Sequence, residues 1–259
     1  MIFWKRCVRV LLIAAFWLGI WALASQCVGK PLLFPSPFAV FKRLGELMTT
    51  AEYYAITARS LWNILSGILI AILGGCLLAV LTSRVELLRQ ALLPAMTVIK
   101  ATPVASFIIL ALIWIGSANV PTLITVLIVL PVIWTNLDEG YRRIDPALVE
   151  VTRIYKMPLW RRTRVLTLPS LKPYFVSACR TSLGLAWKAG IAAEIIAMPR
   201  GVIGTMIGES KLYIETVDTF AWTLTVILLS LAIEATVAFL LKGRSRSNTQ
   251  KEVAYAEHT

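Results

Sequence analysis

The chain has 259 residues, 58% of them hydrophobic, and its 26 lysines and arginines outnumber 14 aspartates and glutamates to give a net charge of +12. So apolar a composition excludes a soluble domain, and runs of about 20 apolar residues are long enough to cross a bilayer, so the sequence predicts an all-α integral membrane protein. The positive charge does not indicate nucleic acid as a partner, because the basic residues cluster between the apolar runs, as they do in cytoplasmic loops.

We expect about six transmembrane helices, at 8–28, 61–81, 96–115, 120–137, 174–196 and 217–241. Basic residues precede the first, follow the second, fill the connection after the fourth and follow the last, whereas the other connections carry mixed charges or none. Because basic loops remain in the cytoplasm, this pattern predicts that both termini are cytoplasmic. Residues 1–242 then form a single membrane domain, and the polar stretch 243–259 is expected to be a disordered cytoplasmic tail.

The connection after the first predicted span contains a further helix. The Phe-Pro-Ser-Pro sequence at 34–37 indicates a turn or a helix start. Residues 38–48 then place apolar side chains at helical spacing, opposite Lys42, Arg43 and Glu46. This helix either lies along the outer membrane surface or is an ordinary solvated connector.

Small residues recur every four positions in the second predicted span, at Gly67, Ala71, Gly75 and Ala79. Such a face allows the backbone of a neighbouring helix to approach closely. We therefore predict a helix-packing face there and assign it no chemistry.

A polar, basic loop at about 142–172 separates the fourth and fifth predicted spans. Asp145 before Pro146 is typical of a helix N-cap followed by proline in the first turn. The Lys-Met-Pro sequence at 156–158 indicates a break that begins a second short helix, and Pro169 is expected to end it. The sequence therefore predicts two short helices in this loop.

Lys188 lies well inside the fifth predicted span, where a charged side chain costs at least about 2.5 kcal/mol and normally faces protein or water. Arg180 and Gly184 share its helix face, and Glu194 lies further along the same helix. These four residues are candidates for a translocation path that suits an anionic solute. Alternatively, Lys188 forms a structural ion pair with Glu194 or Glu234. A pair with Glu194 would have to cross helices or subunits, because two residues six positions apart do not face each other on one helix.

The sequence lacks the motifs of an enzyme. It contains no GxxxxGK[ST] loop to bind nucleotide phosphates, and no HExxH or Ser/His arrangement that would support a protease. The single histidine, His258, lies in the tail and the four cysteines are scattered, so we expect neither a metal site nor a cofactor. Any energy for transport must then come from a partner chain.

The basic loop resembles the cytoplasmic coupling loop, or EAA loop, of ABC importer permeases. The family pattern is Glu-Ala-Ala, a glycine, then a hydrophobic residue before Leu-Pro, and its positions here are occupied by Glu150, Val151, Thr152, Lys156, Leu166, Leu168 and Pro169. Shorter motifs of the nitrate, sulfonate and taurine branch have similar counterparts, in the family order, at 34–37, 100–103, 114–116, 136–140 and 145–150.

This resemblance implies a type I ABC importer permease in the bacterial plasma (inner) membrane, moving a small, anionic solute of the nitrate, sulfonate or taurine kind into the cytoplasm by alternating access. The implied partners are a second permease subunit, expected to form a homodimer, two cytoplasmic ATPase subunits and an extracytoplasmic solute-binding protein. ATPase coupling would run through the segment 150–169, whose candidate residues are Glu150, Val151, Thr152, Lys156, Pro158, Leu166, Leu168 and Pro169.

Lys156 is the main departure from the family pattern. The family's glycine can take a left-handed conformation at a helix end, which costs a residue with a Cβ about 1–2 kcal/mol. Either the loop turns differently and docks on a matched ATPase, or the lysine tolerates the turn because its charge favours the C-terminus of the first helix.

Two other classes of function remain open from the residues alone. A gradient-driven secondary transporter or channel would need intramembrane acids or broken helices in repeated halves, for which Glu194 and Glu234 are the only candidates. A membrane scaffold without transport would differ from an importer in that ATP hydrolysis does not respond to solute.

Overall fold

The computed structural model describes the backbone of residues 2–256 and the side chains of residues 8, 9 and 11–237. Within these residues the chain is helical and contains no strand, which confirms the all-α prediction. The helices are α1 (Ile2–Val28), α2 (Pro37–Met48), α3 (Ala51–Thr82), α4 (Glu86–Ala101), α5 (Val104–Ile115), α6 (Val120–Arg142), α7 (Pro146–Ile154), α8 (Leu159–Arg162), α9 (Leu168–Ala197), α10 (Ile203–Leu212) and α11 (Thr216–Ala256). A 3-10 turn at Ser117–Asn119 precedes α6, and a π-helical turn at Thr163–Thr167 joins α8 to α9.

Four stretches of the described helices are long and apolar enough to cross a membrane: Leu11–Val28, Ala51–Thr82, Ser117–Arg142 and Thr216–Val237. They correspond to four of the predicted spans. The predicted span at 174–196 lies within α9, which is long enough to cross but carries Lys172, Arg180, Lys188 and Glu194.

The span predicted at 96–115 is not one continuous helix. α4 and α5 meet at 104°, as a broken span or a re-entrant loop, around Thr102 and Pro103. The cause is local, because the residue before a proline is driven out of the helical region, and Thr102 has an extended ψ of 132°. A sequence window that averages hydropathy does not register this bend.

The centre of the fold is formed by α3, α6 and α9. A Cβ added to Gly67 would lie 2.8 Å from the Thr122 carbonyl oxygen, and one added to Gly75 would lie 2.8 Å from Ile133 Cγ2. The small-residue face predicted on α3 is therefore confirmed, and it packs on α6. α6 also packs on α9, because Gly140 contacts the start of that helix at Leu171 and Tyr174.

The bundle has two ends. We call the loop end the one where α3 and α6 terminate and α4 and α9 begin, and the far end the opposite one. At the far end α2 forms as predicted, capped by the Ser36 hydroxyl, and buries Val40 and Leu44. Arg43 on its other side donates from Nε and Nη2 to the Asp218 carboxylate at 2.7 and 2.8 Å, and these hydrogen bonds raise the pKa of the Arg43 guanidinium.

The predicted disordered tail, 243–259, stays a prediction. The helical backbone of α11 continues to Ala256, but no side chain beyond residue 237 is described. His258 lies outside the described residues.

Candidate functional site

The first helix of the basic loop begins as its sequence predicts. Asp145 Oδ1 accepts a hydrogen bond from the Ala147 backbone N–H at 2.8 Å, and Pro146 occupies the first turn of α7. Proline is suited to that position because the first backbone N–H groups of a helix have no partner within the helix. The side chain of Asp145 and the ring of Pro146 thus define where α7 begins.

Lys156 takes the left-handed conformation that the family pattern assigns to glycine. Its φ is 47°, its N–H donates to the Arg153 carbonyl at 2.9 Å, and the next N–H, of Met157, donates to the Thr152 carbonyl at 3.0 Å. These two hydrogen bonds form the Schellman motif that ends a helix. The lysine therefore tolerates the glycine turn, at a cost of about 1–2 kcal/mol.

The second short helix does not end at Pro169 as predicted. After the break at Pro158, α8 begins at Leu159, and the chain stays helical through the π turn into α9. Pro169 lies in the first turn of α9. It is accommodated there because the preceding π turn already departs from regular α-helical hydrogen bonding, so the proline interrupts little.

Most side chains of the loop point away from the bundle. Glu150 is exposed, and among the described side chains no cation lies within 4.0 Å of its carboxylate. Thr152 is the exception, since it is buried and donates its hydroxyl to the Val149 carbonyl at 2.7 Å. The exposed apolar side chains of the loop are Leu148, Val151, Ile154, Tyr155, Leu159, Trp160, Val165 and Leu168.

An ion-pair cluster that sequence inspection missed joins α4 to α6 at the loop end. Arg89 Nε lies 2.9 Å from both carboxylate oxygens of Asp138, and Arg89 Nη1 lies 3.0 Å from Glu86 Oε1. The Arg89 and Asp138 side chains are only 13% and 11% exposed, so water screens their attraction less than it does at the surface. No local signal could have found this pair, because its members are 49 residues apart.

The stripe predicted on α9 is only partly buried. Arg180 and Lys188 are exposed and Gly184 is half-buried. Among the described side chains, no carboxylate lies within 4.0 Å of either cation, so the ion pair of Lys188 with Glu194 or Glu234 is not formed in this structure. The two charges are instead exposed, although Glu234 of α11 lies beside the same stripe, with its Oε1 3.8 Å from where a Cβ of Gly184 would stand.

Glu194 lies apart from that stripe. It is fully buried, and its Oε2 accepts from the Ser60 hydroxyl of α3 at 2.8 Å and from the Gly204 N–H at the start of α10 at 3.1 Å. Ser60 Oγ in turn accepts from the Ile203 N–H at 2.8 Å. Glu194 and Ser60 thus cap the N-terminus of α10, a favourable place for a carboxylate, and tie three helices together.

A second polar contact escaped the sequence analysis. Lys100, just before the bend between α4 and α5, donates from Nζ to Thr135 Oγ1 on α6 at 2.9 Å. Thr135 lies about midway between the α6 residues that contact the two ends of α9, Gly140 and Thr125. The cation of Lys100 is thus attached to the helix that packs against the Arg180 and Lys188 helix.

Comparison with known proteins identifies the chain. Residues 44–246 match the family model described as "Binding-protein-dependent transport system inner membrane component". The chain belongs to this family. Its members are permease subunits of ABC importers, without catalytic activity of their own, and a separate subunit hydrolyses ATP. The resemblance seen in the sequence is confirmed, and the gradient-driven alternative is not favoured.

Similar proteins support the same assignment. The putative aliphatic sulfonates transport permease protein SsuC of Bacillus subtilis is 24% identical over 214 residues, covering 82% of this chain and 77% of that protein. The taurine transport system permease protein TauC of Escherichia coli is 25% identical over 229 residues, covering 86% and 80%. A chain in the crystal structure of a bacterial ABC transporter involved in the import of the acidic polysaccharide alginate shares the fold, with a TM-score of 0.65, 18% identity, and coverage of 95% of this permease and 100% of that chain.

Proposed function

We propose that this permease carries a small solute with an anionic group, of the sulfonate, taurine or nitrate kind, into the cytoplasm, and that its loop 142–172 receives the driving motion from a separate ATPase. Relatives named for aliphatic sulfonates, taurine and bicarbonate support this solute class. The observation that carries the coupling role is the surface of the loop, which presents apolar side chains to solvent at one end of the bundle.

The exposed side chains of the loop are those of a docking surface. Ile154, Tyr155, Leu159 and Trp160 are 70–76% exposed, although they flank a well-defined turn. Large apolar patches of this kind mark interaction sites, and tryptophan and tyrosine are typical anchors of protein interfaces. Glu150 lies on the same short helix as Ile154 and is available as an anionic contact at the rim.

The charge distribution supports a cytoplasmic position for the loop end. Ten basic residues lie there, namely Arg84, Arg89, Arg142, Arg143, Arg153, Lys156, Arg161, Arg162, Arg164 and Lys172. At the far end the exposed charges are mixed, with Lys42, Arg59 and Lys211 beside Glu52, Glu209 and Glu215. Lysine and arginine are retained on the cytoplasmic side, and the helix directions support the same side for both termini.

The exposed face of α9 supports a dimer. A cation inside a membrane span must face protein or water, and Arg180 and Lys188 are both exposed in the single chain. A second copy of the permease facing the first would enclose the two α9 faces around a polar, positively charged path. Glu194, held by Ser60 and Gly204, would act in this arrangement as a brace beside the path.

Coupling then has a simple physical form. Closure of two ATPase subunits would move the two loops together, and the permease would change from an inward-open to an outward-open state. A solute-binding protein at the far end would deliver solute in that state. ATP hydrolysis would restore the first state, so that the ATPase supplies the free-energy difference between the two populations.

Docking can be tested with a matched pair of substitutions. Tyr155 in the loop and Tyr213 at the far end are 74% and 76% exposed. Tyr155→Asp should release a co-purifying ATPase from the tagged permease in mild detergent, whereas Tyr213→Asp should retain it. Equal retention by both variants, or uptake that persists after ATP depletion, would overturn the proposed coupling.

The anionic solute can be tested at Lys188. In proteoliposomes of the complete transporter, Lys188→Gln should raise the KM for uptake of the anion about tenfold, while Lys188→Arg, which keeps the charge, should stay close to the wild type. Radiolabelled taurine, an alkanesulfonate, nitrate and bicarbonate are the solutes to compare. Equal KM values for the glutamine and arginine variants would remove Lys188 from the path.

A further inference from the structure

A cavity lined by arginines lies between the loop and the ends of the membrane helices. It has a volume of about 440 Å³ and is bounded by the α3–α4 connection, the end of α6, α7 and α8. Four arginines line it (Arg84, Arg89, Arg142 and Arg162), against two carboxylates, Glu86 and Asp138. The cavity therefore has an excess of positive charge, and of the four side chains named above for the docking surface only Leu159 lines it.

Only one of these arginines is neutralised. Arg89 binds both Asp138 and Glu86, whereas no carboxylate among the described side chains lies within 4.0 Å of Arg84, Arg142 or Arg162. Ser83, Thr163 and Thr167 line the same space. Guanidinium groups bind phosphate oxygens through paired, charge-assisted hydrogen bonds, so this lining suits an oxyanion.

An apolar cavity of about 650 Å³ adjoins the arginine cavity. Val80 and Tyr141 line both. The other walls of the apolar cavity come from α3, α6, the π-helical turn and the first turns of α9, among them Cys76, Leu137 and Phe175. Two cations, Arg164 and Lys172, also line it. A polar cavity for an anion therefore lies against an apolar one, at the end of the bundle that carries the basic residues.

We propose that these two cavities bind an anionic phospholipid, with its phosphate among Arg84, Arg142 and Arg162 and an acyl chain in the apolar cavity. A free phosphate would fill only the first cavity and leave the second empty. The cytoplasmic leaflet supplies anionic lipid, and basic pockets between helices bind its headgroups. Because Arg162 belongs to α8 and the other two arginines to the bundle, the bound phosphate connects the coupling loop to the membrane helices.

The test uses the complete transporter, purified and placed in lipid nanodiscs of phosphatidylcholine with or without phosphatidylglycerol. Native mass spectrometry counts retained phosphatidylglycerol, and Arg142→Gln and Arg162→Gln should each weaken its binding about tenfold. Arg143→Gln is the matched control, since Arg143 pairs with Glu139 on the surface and does not line the cavity. Val80→Trp, which fills the shared wall, should also expel the lipid while leaving every arginine in place.

The outcomes separate the sources of the anion. Loss of phosphatidylglycerol in Arg142→Gln, Arg162→Gln and Val80→Trp, with retention in Arg143→Gln, supports the proposal. Binding of inorganic phosphate without lipid, unaffected by Val80→Trp, would overturn the lipid assignment. Equal loss in Arg143→Gln would show general surface basicity and also overturn it. None of these readouts requires solute uptake, so they stand apart from tests of the transported anion.

Discussion

Gly204 should tolerate no larger residue, because α10 begins in direct contact with α9. A Cβ built on Gly204 would lie 2.2 Å from Glu194 Cβ, 2.6 Å from the Ile195 nitrogen and 2.7 Å from the Glu194 carbonyl carbon. Two of these atoms are backbone, so the strain cannot be relieved by a side-chain rotation. In Gly204→Ala, α10 must move away from α9.

The size of the effect follows from that contact. Overpacking a well-packed core costs about 1–3 kcal/mol. Displacing α10 also breaks the Gly204 N–H hydrogen bond to the buried Glu194 carboxylate, for a further cost of about 1–3 kcal/mol. We expect Gly204→Ala to lower the free energy of unfolding by about 3–5 kcal/mol.

Gly208→Ala is the matched control, since it makes the same change one turn later on the same helix. Its Cβ would meet Met198 Cε at 3.4 Å, the end of a flexible side chain, and alanine gains up to about 1 kcal/mol of helix propensity over glycine. Thermal or SDS-induced unfolding of the detergent-purified permease measures both variants. Similar stabilities for Gly204→Ala and Gly208→Ala would refute the close packing of α10 on α9.

Substitutions at three further contacts test the rest of the structure. Lys156→Gly removes the left-handed strain and should stabilise the loop by about 0.5–1 kcal/mol after the entropy of glycine is counted. The loop should then be cleaved more slowly by a protease. Faster cleavage would contradict the left-handed conformation of Lys156. Glu194→Gln keeps an acceptor for Ser60 and should retain uptake and stability. Glu194→Ala should lower the free energy of unfolding by about 1–3 kcal/mol. Loss of uptake with intact stability in Glu194→Gln would show that the charge of Glu194 is needed for transport. Arg89→Ala and Asp138→Asn should show a coupling energy of about 1–3 kcal/mol in a double-mutant cycle of unfolding, and additive effects would exclude the ion pair.

Features fixed by neighbouring residues were predictable from the sequence. Asp145 and Pro146 predicted the start of α7 because helix capping involves only adjacent positions. The small residues at every fourth position from Gly67 to Gly75 predicted a close helix contact, because the pattern lies on a single helix face and can be seen in one segment of sequence. The same is true of α2, whose cap at Ser36 and apolar face lie within a dozen residues.

Features that join distant segments were not predictable. Glu194 and Ser60 are 134 residues apart, and nothing in either neighbourhood specifies the other. Glu194 could therefore be assigned to the path on its charge alone, although the structure buries it in a helix cap. The sequence prediction missed the bend between α4 and α5 for a different reason. Pro103 lies inside an apolar run, and the span was assigned from hydropathy without regard to the backbone preference of Thr102.

The unexpected continuity at Pro169 bears on how the proposed coupling would work. From Leu159 to Ala197 the backbone is helical without a break, so a displacement of α8 passes into α9 directly. α7, in contrast, ends in the turn at Lys156. Its main contribution to the proposed coupling is its exposed side chains. Because Arg180 and Lys188 lie on the same continuous helix, motion of the loop would shift the cations of the path together with it. A helix that ended at Pro169, as the sequence predicted, would have interrupted that path.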